Sequence, residues 1–150
     1  MVEGHCSCGA AQYVLSRAPT FRMFCHCDTC QKVYQSAYSD ITVVRLSDVE
    51  SYTEDMIRFT RHQKRFAVDR GTCKVCHDPV IAKLTYVPGF AMAFLPSRTL
   101  PGVETTLSPA FHGWYHRREH DIRDGLPKIS GHLRSVAACA GPFLQVRLGR

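Results

Sequence analysis

The stretch Cys25-His26-Cys27-Asp28-Thr29-Cys30 carries three thiols in six residues, too close together for three structural disulfides. Two further pairs flank it: Cys6-Ser7-Cys8 upstream and Cys73-Lys74-Val75-Cys76 downstream. Thiolates at such spacings suit a soft divalent metal, and Zn2+ is the default candidate. Seven thiols exceed what one tetrahedral ion can use. The arithmetic is four plus three: one closed site and one site with an open position. Turns favour both, because their backbone N–H groups can point at the sulfurs and offset the charge. Spacing alone leaves the partition open. Cys27 and Cys30 with Cys73 and Cys76 would make a zinc ribbon and leave Cys6, Cys8 and Cys25. Alternatively, Cys6 and Cys8 join Cys73 and Cys76, and Cys25, Cys27 and Cys30 form a compact three-thiolate site.

Working outward, Phe21 to Phe24 is expected to be a short strand that feeds the cluster directly, a stiff mount for a metal. Ala11–Leu15, Ala37–Arg45, Met56–Thr60, Lys64–Val68, Pro79–Tyr86 and Phe90–Leu95 are further strand candidates, rich in β-branched and aromatic residues. Gly4 to Gly9 and Asp69 to Cys76 read as knuckle turns. Cys30–Gln35 and Leu46–Glu50 are expected to be single helical turns or connections. Prolines at 96, 101 and 109 predict an irregular segment lying over a sheet. Asp124-Gly125-Leu126-Pro127 is a turn signal, and the tail from Ile129 adds a helix or a final strand over Phe143–Leu148. Many short strands with few helical stretches make a mainly-β domain, and 150 residues suit one domain, 1–150.

No apolar run approaches the roughly 18–20 residues of a membrane span. The N-terminal residues have neither a basic nor an apolar leader region, so a reducing cytoplasm is the expected location, and there clustered cysteines signal metal. An extracellular disulfide framework is the alternative, but the eighth cysteine, Cys139, stands far from the clusters. The formal charge of +6 would attract an anionic small molecule. The only dense basic group is Arg58, Arg61, Lys64 and Arg65, alternating with Phe59 and Phe66. It reads as a solvated strand face before it reads as a nucleic-acid surface.

The combination Gly4-x-Cys6-x-Cys8-Gly9, Cys25-His26-Cys27-x-x-Cys30-x-Lys32, Cys73-x-x-Cys76 and Asp124-Gly125-Leu126-Pro127 resembles the glutathione-dependent formaldehyde-activating enzyme family. The order and distances fit over roughly residues 4–128, leaving 129–150 as a C-terminal extension. The resemblance implies a β-tent of small antiparallel sheets with two zinc ions per chain. Cys6, Cys8, Cys73 and Cys76 would hold a structural zinc. Cys25, Cys27 and Cys30 would hold a catalytic one. It also implies carbon–sulfur lyase activity, the condensation of glutathione with formaldehyde to S-hydroxymethylglutathione. His112 and Trp114 fall in the family's histidine–aromatic segment and are expected to line the substrate cleft. Two positions depart from the pattern: His77 stands where glycine commonly follows the last CxxC, and Tyr34-Gln35 replaces the usual small residue after the CHCxxC cluster. The competing reading is a non-catalytic, zinc-stabilised module that binds nucleic acid or an acidic protein. His26, between two ligand cysteines, is expected to point away from their metal. Asp28 is expected to be a solvated turn residue and Cys139 a small buried one. His116, His120 and His132 are spaced too loosely to form a third metal site.

Overall fold

The computed structural model describes residues 1–62, 68–85 and 89–149. Residues 64–67 of the strand expected at Lys64–Val68, Lys64 and Arg65 of the basic group, and the last residue of the strand expected at Pro79–Tyr86 lie outside the described residues. Within them the chain is mainly β, with ten strands in two sheets.

The smaller sheet has the order β1-β2-β5, from Val2–His5, Gln12–Leu15 and Val49–Tyr52. The larger has the order β10-β3-β4-β9-β8-β7-β6. Its strands are β3 (Phe21–Cys25), β4 (Ser39–Arg45), β6 (Ile57–Arg61), β7 (Val68–Cys73), β8 (Pro79–Leu84), β9 (Met92–Pro96) and β10 (His112–Gly113). All pairings are antiparallel except β10 with β3. Three helices complete the fold: α1 (Asp28–Tyr34), α2 (Val103–Thr106) and α3 (His132–Leu148).

The two faces of the large sheet build two cores, and β4 shows how. Its β-branched run Ile41-Thr42-Val43-Val44 alternates between faces with a period of two. Val44 joins Leu15, Ile57, Val80, Ile81, Leu95 and Leu100 in the core shared with the small sheet. Ile41 and Val43 join Phe21, Met23, Leu84, Met92 and Phe111 under α3, which contributes Cys139 and Val146. Thr42 is buried but satisfied: its hydroxyl lies 2.8 Å from Ser97 Oγ, which donates to Asp40 at 2.7 Å. Asp40 in turn forms a two-point pair with buried Arg22, at 2.8 and 2.6 Å. The remaining Arg22 N–H capacity goes to the carbonyls of Glu104 and Leu107. That network fastens the proline-rich segment to the sheet.

Two expectations are corrected. Asp69–Thr72 is not a turn but the middle of β7, paired on both sides by β6 and β8. Gly71 sits there because a Cβ would come within 2.6 Å of Ile57 and 2.8 Å of the Ile81 carbonyl oxygen. Of Leu46–Glu50 only Leu46–Asp48 is a helical turn; Val49 begins the third strand of the small sheet. Of the two forms expected for the tail the structure has the helix, His132–Leu148, capped by Gly131 and by Gly149, whose N–H bonds to the Gln145 and Val146 carbonyls.

Candidate metal centres and cavity

The first cluster lies where β1–β2 meets β7–β8. The Sγ atoms of Cys6, Cys8, Cys73 and Cys76 all fall within 4.8 Å of one another. Cys6 to Cys8 is 3.5 Å and Cys8 to Cys73 is 3.9 Å. Four sulfurs at about 2.3 Å from a tetrahedral zinc would be roughly 3.8 Å apart. The eight cysteines are free thiols, so the donor set fits a soft divalent ion. The backbone supports this. Ala11 N–H donates to Cys6 Sγ at 3.3 Å, and Val75 N–H to Cys73 Sγ at 3.4 Å. Gly9 closes the first knuckle at φ +74°, its N–H bonded to the Cys6 carbonyl. Gly4 is required for a different reason: a Cβ there would come within 2.2 Å of the buried Tyr13 ring.

His77 occupies the matching position of the second knuckle, at φ +61°, with its N–H on the Cys73 carbonyl. His77 thus bears the cost of a left-handed L-residue. Gln35, the C-cap of α1, is likewise left-handed at φ +49°.

The second cluster is Cys25, Cys27 and Cys30, whose Sγ atoms also lie within 4.8 Å of one another. The ribbon-like pairing of Cys27 and Cys30 with Cys73 and Cys76 is not formed. Cys25 ends β3. Cys27 is the N-cap of α1, its Sγ accepting from Cys30 N–H at 3.4 Å, and Cys30 lies on the helix's buried face. The helix begins at Asp28, earlier than expected, because the thiol supplies a cap. Thiol hydrogen bonds from Cys25 and Cys30 hold Cys27 well below the ordinary thiol range, with the Arg70 charge adding to the effect. The Cys25 thiol is pushed up by its contacts with Cys27 and Cys30 and by burial. One sulfur is therefore predisposed to be a thiolate. A metal would displace the protons of the others.

Strand alternation turns His26 to the opposite side from Cys25 and Cys27, where it is almost wholly buried. There it starts a chain absent from the sequence reading. His26 Nε2 is 2.8 Å from His112 Nδ1, and His112 Nε2 is 2.6 Å from Asp124 Oδ2. Asp124 Oδ2 accepts from His112 Nε2–H, and the other ring nitrogen of His112 shares the second link of the chain with His26 Nε2. Burial and the neighbouring His112 lower the His26 pKa to about 4. His26 Nδ1 is buried without a partner among the described residues. Asp124 is held below the usual carboxylate range by Lys128 and by His112. The rest of the thiol turn is tethered too: His26 N–H to the Gly113 carbonyl, Gln31 Nε2 to the His26 carbonyl, and Ser39 Oγ to the Cys25 carbonyl.

The three thiols open onto a cavity of about 860 Å3 between the large sheet, α1 and α3. Its lining is mostly apolar, with Arg70, Arg117, Asp28, His116 and His132 as the ionisable exceptions besides the cysteines and Tyr34. Trp114 is on its wall; His112 is not, being fully buried behind the thiol turn. Trp114 is fixed at its backbone by Ser135 Oγ at 2.8 Å and at its indole N–H by His132 Nδ1 at 3.0 Å. Cys139 also faces this cavity, its thiol 3.8 Å from Met23 Sδ and pushed up to about 12 by burial. Asp28 is exposed and faces Arg117 at 3.7 Å. His116 Nδ1 accepts from Gly131 N–H. On the basic face, Arg61 is engaged by Asp69 at 2.9 Å. No helix among the described residues is long and apolar enough to cross a membrane.

The family model for glutathione-dependent formaldehyde-activating enzymes matches residues 1–117. The chain belongs to that family. The match includes both thiol clusters and ends before the Asp124–Pro127 turn that the sequence resemblance had included, and before α3. A solved structure of a Rhodobacter sphaeroides protein, a structural-genomics target, aligns with a TM-score of 0.54 and 19% identity, covering 69% of this chain and 91% of that one. At that identity the likeness concerns the fold. No curated protein matches the chain.

Proposed function

We propose that the chain is a zinc-dependent carbon–sulfur lyase that makes and breaks a thiol adduct, with glutathione as the thiol. One observation carries this reading. Four thiols form a cluster at the junction of the two sheets, while Cys25, Cys27 and Cys30 form a cluster of three on the wall of a ligand-sized cavity. A four-sulfur set suits a closed structural site, and a three-sulfur set leaves a position for a substrate. Bound by Cys25, Cys27 and Cys30, zinc would supply an open position suited to sulfur and only weak carbonyl activation, because three thiolates already outweigh its charge.

The chain's own residues supply the rest. Arg70 and Arg117, at the cavity, offer cations to the glutathione carboxylates. Trp114, held at both ends, and α3 form apolar walls of the cavity onto which the thiols open. The Asp124–His112–His26 chain fixes the ring between Cys25 and Cys27, and so the direction in which both thiols project. In the reaction RSH + H2CO ⇌ RS–CH2OH, the sulfur–carbon bond forms and the thiol proton ends on the former carbonyl oxygen.

The test is exchange spectroscopy on glutathione and 13C-formaldehyde with zinc-loaded protein. Interconversion of free and hydroxymethylated glutathione should exceed the spontaneous rate, and Cys27→Ser should abolish the excess. No acceleration with glutathione would refute the reading.

A further inference from the structure

We propose that the cavity selects an adduct whose carbonyl-derived half carries an apolar chain or ring, so that the preferred partner of the thiol is a larger apolar aldehyde. This deepens the lyase reading above and rests on it. The balance is RSH + R′CHO ⇌ RS–CH(OH)R′: one sulfur–carbon bond forms, the thiol proton passes to the carbonyl oxygen, and nothing is oxidised or reduced.

The space is the first reason. A cavity of about 860 Å3 lies near the top of the roughly 300–1,000 Å3 range of small-molecule pockets. A hydroxymethyl group is one carbon and one oxygen, and beside the thiols it would leave most of the wall without contact. The lining is the second. Ile41 and Leu84 on the sheet face the cavity with Phe94, and Ala140 and Phe143 close it from α3. The Phe94 and Phe143 rings stand 5.8 Å apart. Such a surface offers dispersion and apolar burial and little that could hydrogen-bond a charged peptide-like group. Charge complementarity therefore places the ionic glutathione moiety at Arg70 and Arg117 and the aldehyde-derived group against α3. The third reason is provenance. The helix at 132–148 lies beyond the family-matched residues 1–117, so this wall comes from a segment that the family model does not describe.

Binding can be read without turnover, because Trp114 is the chain's only tryptophan and lines the cavity. Zinc-loaded protein is titrated with S-methylglutathione and S-hexylglutathione, thioethers with no free thiol, and tryptophan emission is followed. Each fully buried methylene strengthens binding about fourfold. With half the surface of five added methylenes covered, S-hexylglutathione should bind about 30-fold more tightly. Ala140→Phe, on an exposed stretch of α3 facing the cavity, should remove most of that advantage and leave S-methylglutathione binding unchanged; Leu144→Asn, one turn further along the same lining, should do the same by setting an amide against the chain. Equal affinities for the two thioethers would overturn the proposal while leaving the formaldehyde-exchange result, and with it the lyase reading, intact. An advantage undiminished in both variants would also overturn it, placing the chain outside the cavity. Binding of neither thioether, together with no exchange activity, would remove both readings.

Discussion

Replacing one thiol in each cluster should have unequal consequences. Cys73 is fully buried at the end of β7, packed in the core between the two sheets, and its own N–H bonds to the Asp78 carbonyl. A structural zinc contributes on the order of 10–16 kcal/mol of apparent binding free energy in small zinc domains. The whole stability of a domain is about 5–15 kcal/mol. Cys73→Ser should therefore cost more than about 5 kcal/mol and leave no cooperative unfolding transition. Cys27 is half-buried and caps α1. Serine is itself a favoured N-cap, so the helix start survives. What is lost is the linkage to a bound ion, about 1–3 kcal/mol at metal concentrations up to a hundred times Kd. At about 2–4 °C per kcal/mol, Cys27→Ser should melt cooperatively within roughly 12 °C of the wild type. Circular dichroism melts of both variants in zinc-buffered solution provide the comparison. Losses equal to within about 1 kcal/mol, the smallest difference the comparison needs to resolve, would refute the division of labour between the clusters.

Three further outcomes follow from the same geometry. His112→Ala removes a buried ring bonded to both His26 and Asp124 and should cost about 2–4 kcal/mol in urea unfolding, from the cavity and the unpaired His26 nitrogen. Asp124 has a depressed folded-state pKa, so its contribution is present above the unfolded carboxylate pKa near 4 and is lost as pH falls through the lower folded value; stability should fall more steeply with acid in the wild type than in Asp124→Asn, measured by urea midpoints from about pH 5 downward. His77→Gly should stabilise the protein by about 0.5–1 kcal/mol, since relief of the φ +61° conformation outweighs glycine's unfolded-state entropy, and a lower Tm would contradict this.

What could be read in the chain, and what could not, follows from the range of the forces involved. The thiol spacings and the flanking β-branched runs are local, and they led to the mainly-β architecture and to the seven clustered thiols, whose division into four and three came from the family resemblance. The alternation that turns His26 away from Cys25 and Cys27 was equally local. The His112–Asp124 link was not, because it depends on the Asp124–Pro127 turn bringing the Pro127–Ile129 backbone alongside β10. The turn was legible, but not what it approached. Gly71 suggested a turn because glycine breaks strands on average; here it admits Ile57 between neighbouring strands, a tertiary demand that overrides propensity. The tail, left open between helix and strand in the sequence, is a helix that accommodates Pro142 within its length. The cavity wall contributed by α3 is a product of packing between segments more than a hundred residues apart, as Cys139 against Met23 illustrates.

The measurement that bears most directly on the two-centre account is elemental analysis of freshly purified, fully reduced protein, paired with mass mapping of its thiols. The account predicts two zinc ions per chain and no cysteine bonded to another, with one ion retained by Cys27→Ser. Protein without transition metal, with Cys6, Cys8, Cys25, Cys27, Cys30, Cys73 or Cys76 joined in disulfides, would contradict it.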